Sequence, residues 1–146
     1  MGTPYTQDVV KWSQEQAELL RSGQLSALDI EHIAEEIEDV GKSEKRELAS
    51  RLAVLLSHLL KWQYQPSLRC KSWSATIKTQ RNGIARALNE TPSLRSVIAD
   101  KDWFAGAWDD AVADALKETR LEIDMPEICP WTFSQIMEAN WKPEPE

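Results

Sequence analysis

A chain of 146 residues with 42% hydrophobic and 28% charged side chains, seven prolines and five glycines has the size and balance of one globular domain. That composition excludes a low-complexity or collagen-like chain, and two cysteines are too few for a disulfide framework. The net charge of −7 and pI near 4.9 disfavour a polyanionic partner. The longest apolar stretch, residues 52–60, is interrupted by Ser57 and His58 and is far short of the ~20 residues of a membrane span.

In chain order the elements read as helices, because apolar residues recur at three and four and nowhere alternate between hairpin turns. A first helix is expected over residues 8–22, with Trp12, Leu19 and Leu20 on its apolar side and Gly23 as its stop. Ser26 reads as the N-cap of a second, with Asp29 reaching back, Ile30, Ile33, Ile37 and Val40 as its buried stripe, and Gly41 ending it. His32, Glu35, Glu36 and Asp39 then lie on its other side. A long third helix runs from Ser43 to about Tyr64, where Pro66 enforces the end, with Leu48, Leu52, Leu55, Leu56 and Leu59 on one face.

A fourth helix follows over residues 73–89, with Trp73, Ile77, Ile84 and Leu88 inward, then a short turn carrying Leu94, Val97 and Ile98. Asp102 reads as the cap of another long helix, in which Phe104, Ala107, Trp108, Ala111, Val112 and Ala115 repeat. Thr132 and Gln135 make a capping box for a last short helix with Phe133, Ile136 and Met137, and residues 143–146 read as a frayed tail. The expected fold is one all-α domain over residues 1–146, a compact bundle of six or seven helices.

The stretches Ile33-Ala34-Glu35-Glu36-Ile37-Glu38-Asp39-Val40-Gly41, His58-Leu59-Leu60-Lys61-Trp62-Gln63-Tyr64-Gln65-Pro66 and Cys129-Pro130-Trp131-Thr132 resemble the bacterial family called domain of unknown function twenty-nine. Tyr5, Asp8, Trp12, Trp73, Gln80-Arg81 and Pro92-Ser93-Leu94 add to the resemblance, which spans nearly the whole chain in order. It implies an all-helical bacterial cytoplasmic domain and carries over no activity, cofactor or catalytic residue.

Charge falls in blocks. Residues 1–41 hold 2 basic and 9 acidic side chains, residues 42–95 hold 11 and 3, and residues 96–146 hold 4 and 12. A nucleic-acid footprint would need the basic centre, Lys71, Lys78 and Arg86 with Lys42, Lys45 and Arg46, to share an exposed face. The simpler reading is that basic helices neutralise acidic neighbours within the fold.

Arg51, His58 and Gln65, seven residues apart beside Trp62, fall at the edge of the leucine face. If the second and third helices pair antiparallel, Glu35, Glu36 or Asp39 approaches Arg51, and the cluster Glu35, Glu36, Asp39, Arg51, His58 and Trp62 either fixes helix register or supports acid–base chemistry. Register is the favoured role, with His58 touching the second helix. Two histidines and no paired cysteines lack a zinc ligand set, and no phosphate loop or catalytic signature stands in the chain, so neither metal nor cofactor is expected. Of the seven tryptophans, Trp12, Trp73, Trp103 and Trp108 read as core, while Trp62, Trp131 and Trp141 are less clearly placed.

These features favour a non-enzymatic interaction module whose partner is another protein or a second copy. No membrane segment and no secretory leader are read, and Cys70 and Cys129 read as free thiols of a reducing cytoplasm. A nucleic-acid-associated protein and an enzyme with a Glu/Arg/His pocket are the alternatives.

Overall fold

The computed structural model describes residues 2–144. The chain is 72% helical, with no strand among the described residues. Six α-helices follow in order: α1 (Val9–Arg21), α2 (Ile30–Tyr64), α3 (Lys71–Glu90), α4 (Leu94–Ile98), α5 (Lys101–Thr119) and α6 (Phe133–Met137). Short 3-10 turns, Leu25–Ala27 and Pro66–Leu68, flank α2. The chain divides into two compact units, residues 1–44 and 45–146. No helix among the described residues is long and apolar enough to cross a membrane.

The first unit is built on α1. Asp8 caps it by accepting from the Lys11 amide at 3.1 Å. It ends at Gly23, whose φ of 73° only glycine adopts without strain; the Gly23 amide donates to the Leu20 carbonyl and the Gln24 amide to the Leu19 carbonyl, a Schellman stop. The only buried residues of α1 are Trp12 and Gln16.

Two expectations fail in α2. The helix runs straight through Gly41, which is not in the left-handed conformation a stop requires, so the second and third expected helices are one helix of 35 residues. A glycine inside a helix costs only about 1 kcal/mol, and strong helix formers on both sides carry the chain past it. The stripe expected to be buried also faces out: Ile30 is 68%, Ile37 66% and Val40 66% exposed, and Ile33 is half-buried. The half-buried residues of these turns include His32, Glu36 and Asp39, so the helix lies about a quarter turn from the orientation that its apolar pattern asks for.

In the second unit the pattern holds. Leu48, Leu52, Leu55, Leu56, Leu59 and Leu60 of α2 meet Ile77, Ile84 and Leu88 of α3, Leu94 of α4, Ala107, Trp108, Ala111 and Ala115 of α5, and Ile136 of α6, all buried in one cluster. Asp100, two residues before the expected cap, receives the Asp102 and Trp103 amides at the start of α5. Thr132 and Gln135 form the expected capping box of α6. Pro143 is buried, which removes it from the expected frayed tail; residues 145 and 146 lie outside the described residues.

Leu56, fully buried in this cluster, and Ile37, two-thirds exposed, give opposite expectations. Leu56→Ala lowers unfolding stability by about 2–5 kcal/mol through lost burial and a cavity, whereas Ile37→Ala stays within about 0.5 kcal/mol, both read from urea denaturation.

Candidate functional site

Each unit carries a polar network. In the first, α1 and the start of α2 surround the buried Trp12. A buried indole N–H needs an acceptor, and Trp12 Nε1 donates to Asp29 Oδ2 at 2.9 Å. The same oxygen pairs with His32 Nδ1 at 2.7 Å, and the Asp29 amide donates to Gln16 Oε1 at 2.8 Å. The Tyr5 ring stacks on His32 at 4.3 Å and meets Trp12 edge-on at 4.8 Å, and its hydroxyl donates to Glu36. That hydrogen bond, with the nearby carboxylates, pushes the Tyr5 hydroxyl up to about 12. Burial opposes the charge on Asp29, yet the hydrogen bonds from His32 and Trp12 together hold its carboxyl below the usual range.

The cluster expected around Arg51 and His58 does not assemble as drawn. The antiparallel pair it required needs a turn at Gly41, and α2 is continuous there. Glu36 instead serves Tyr5. Arg51 lies against α3: its Nη2 donates to Glu47 at 3.3 Å, its Nη1 reaches Gln80 Oε1 at 3.5 Å, and a Cβ placed on Gly83 would stand 2.6 Å from that Nη1. The glycine at 83 leaves room for the guanidinium.

His58 does not touch the expected acidic side chains. It is half-buried, with Nδ1 2.8 Å from the Val54 carbonyl one turn earlier. Burial, with a smaller push from Lys61, lowers its pKa against the Val54 carbonyl and the Glu118 charge, which raise it. One turn on, Lys61 is only 5% exposed and pairs with Glu118 of α5 at 2.5 Å, its Nζ also 5.2 Å above the Trp73 ring. The Lys61 hydrogen bond holds the Glu118 carboxyl below its ordinary value.

Trp62 is flanked by Arg69 at 4.9 Å and Lys142 at 4.7 Å, both over its ring, and Arg69 Nε donates to the Trp62 carbonyl at 2.8 Å. Arg69 Nη2 is buried without a hydrogen-bond partner. Trp131 stands edge-on to Trp108 at 5.6 Å and to Trp141 at 5.7 Å, and Trp62, Trp131 and Trp141 all pack on the core. Trp108 Nε1 donates to the Pro126 carbonyl at 2.9 Å. Both cysteines are free thiols, and burial raises that of Cys129.

Arg81, noted in the sequence only as part of the family resemblance, has a buried role that was not expected. Its guanidinium, 5% exposed, donates from Nε to the Ile136 carbonyl at 2.7 Å, from Nη1 to Ala139 at 3.2 Å and from Nη2 to Trp141 at 2.5 Å. The spacing 77, 81, 84, 88 was the available signal, since it puts Arg81 on the buried stripe of α3.

The chain matches the family described as Domain of unknown function DUF29 over residues 4–142. It belongs to that family. No curated protein and no solved structure matches it. The DUF29 match runs through both units, from Tyr5 and Trp12 to Arg81 and Trp141.

The shifts fix the acid behaviour. Neutral His58, with its folded pKa below the unfolded ~6.5, contributes stability that is present above that value and lost as pH falls through the folded one. Glu118 and Asp29, also depressed, contribute stability present above about 4 and lost further down. Urea midpoints from pH 8 to 3 are expected to fall in two stages: His58→Leu removes the upper, and Glu118→Gln shrinks the lower.

Proposed function

We propose that the chain is a protein-interaction module whose contact face is the N-terminal half of α2. The observation that carries this reading is the exposure of Ile30, Ile37 and Val40 at helical spacing, on turns whose half-buried residues are mostly polar. An apolar stripe left in water at about two-thirds exposure is what a helix-recognition surface presents. Residues 22–41 contain no lysine or arginine and six carboxylates, among them Glu31, Glu35 and Glu38. The partner that fits is an amphipathic helix with lysines or arginines beside its apolar stripe. A second copy would bring one strongly acidic segment against another, so charge supports a different chain. The two free thiols support a reducing, cytoplasmic setting, and the continuous family match supports one evolutionary domain.

Two synthetic helical peptides with the same apolar stripe, one flanked by lysines and one by glutamates, test the reading. The lysine peptide is expected to bind at least about tenfold tighter, with the preference shrinking in salt, and the triple change Ile30→Ser, Ile37→Ser, Val40→Ser abolishes binding with the helical spectrum intact. Failure of the lysine peptide to bind, or unchanged affinity in the triple variant, overturns the proposal. A concentration-dependent dimer lost in the same variant would replace the partner by a second copy.

One observation favours a second reading. Lys71, Lys78 and Arg86 of α3 are all exposed and fall on one side of the helix, so the basic centre is not wholly spent inside the fold. Three such cations on a protein of net charge −7 support only weak contact with a polyanion. Duplex and single-stranded oligonucleotides are expected to bind more weakly than micromolar at physiological salt, with a slope of log affinity against log salt no steeper than about −3. Tighter binding, lost on changing all three to glutamine, would put this reading first.

A further inference from the structure

Arg81 is a buried cation that forms no ion pair among the described residues. Three nitrogens of its guanidinium donate to backbone carbonyls, that of Ile136 within α6 and those of Ala139 and Trp141 after it, and no Asp or Glu among the described residues lies within ion-pair distance of it. Carbonyl dipoles satisfy the donors, and the charge is offset only by Glu138, which makes no ion pair with it, an expensive state for a side chain 5% exposed. Burial accordingly lowers its pKa, with the charge of Glu138 opposing.

The same residue lines a cavity of about 530 Å³ between α3 and the α6 segment. Its polar lining consists of Lys78, Arg81, Lys142, Ser74, Asn82 and Asn140, and no Asp or Glu among the described residues contributes to it. In a chain carrying 24 acidic against 17 basic side chains, three basic residues line one cavity and no Asp or Glu among the described residues lines it with them. Two amides and a hydroxyl add neutral donors. Lys142 is also steered by the Trp62 ring below its ammonium. Ile77, Ala85 and Met137 give the cavity an apolar side, and its volume falls within the range of small-molecule sites.

We propose that this cavity binds a small phosphate monoester, with the phosphoryl group held by Lys78, Lys142 and the Arg81 charge and the organic part against Ile77 and Met137. A dianionic phosphoryl group supplies both the missing negative charge and several strong acceptors. The site lies wholly in the second unit and is independent of the α2 contact face.

The test titrates the full chain with phenyl phosphate, inorganic phosphate and phenol, followed by calorimetry and by amide and side-chain shifts of Asn82 and Asn140. Phenyl phosphate is expected to bind most tightly, inorganic phosphate more weakly and phenol not at all, with Asn82 and Asn140 shifting on saturation. Lys78→Gln and Lys142→Gln are each expected to weaken phenyl phosphate by about tenfold, and the pair to abolish it. Lys78 is exposed and Lys142 half-buried over the Trp62 ring, and a helical spectrum and urea midpoint equal to the parent's confirm that each variant folds. Arg81 is left in place because it also holds the α6 segment. No binding of phenyl phosphate up to millimolar concentration overturns the proposal. So does binding unchanged by both lysine variants, or shifts confined to Lys71 and Arg86, which would mark a diffuse basic helix face instead.

Discussion

Every large buried side chain here that carries an N–H has to be given an oxygen, and where that oxygen comes from fixes much of the structure. Trp12 takes it from Asp29, Trp108 from the Pro126 carbonyl, Lys61 from Glu118, and Arg81 from one carbonyl of α6 and two after it. In the first unit the Asp29 acceptor, with Glu36 receiving Tyr5, turns the polar side of α2 inward. The isoleucines are outside because the carboxylates are needed inside. In the second unit the Pro126, Ala139 and Trp141 carbonyls lie outside the helices, so the Trp108 and Arg81 hydrogen bonds tie irregular chain to the leucine core.

The helices of the second unit were legible because burial and periodicity agree there. The leucines of α2, the Ile77, Ile84 and Leu88 stripe of α3 and the small-residue face of α5 stand where the spacing puts them. The Thr132 and Gln135 box was readable because a capping box is defined by residue type and spacing alone. The break at Gly41 was misread because a glycine stops a helix only when the chain needs a left-handed residue, and sequence does not show that need. The cap of α5 slipped from Asp102 to Asp100 because two aspartates compete for one role and only backbone geometry separates them.

Site residues were less legible, for a physical reason. An apolar stripe announces itself by period, but a polar contact depends on which distant oxygen arrives. Glu36 was one of three carboxylates expected to approach Arg51, yet its partner is Tyr5, 31 positions away. His58 was expected to look across to another helix and bonds its own instead. Arg81 was noted only with Gln80 in the family resemblance, although its place on the inward stripe of α3 was in view. A charged residue at an inward position of an otherwise apolar helix face is the signal worth carrying to other sequences of this kind.

The fit between Arg51 and Gly83 ties two positions together. With Arg51 in place, any side chain at 83 begins 2.6 Å from a guanidinium nitrogen, so the glycine is held by its neighbour and not by its backbone angles. Substitution at 83 becomes tolerable once position 51 has shortened or swung aside, whereas shortening 51 first merely leaves space. Because the atom it meets is the free end of a flexible side chain, a methyl group at 83 is accommodated by a swing of Arg51 away from Gln80 and not by a shift of backbone.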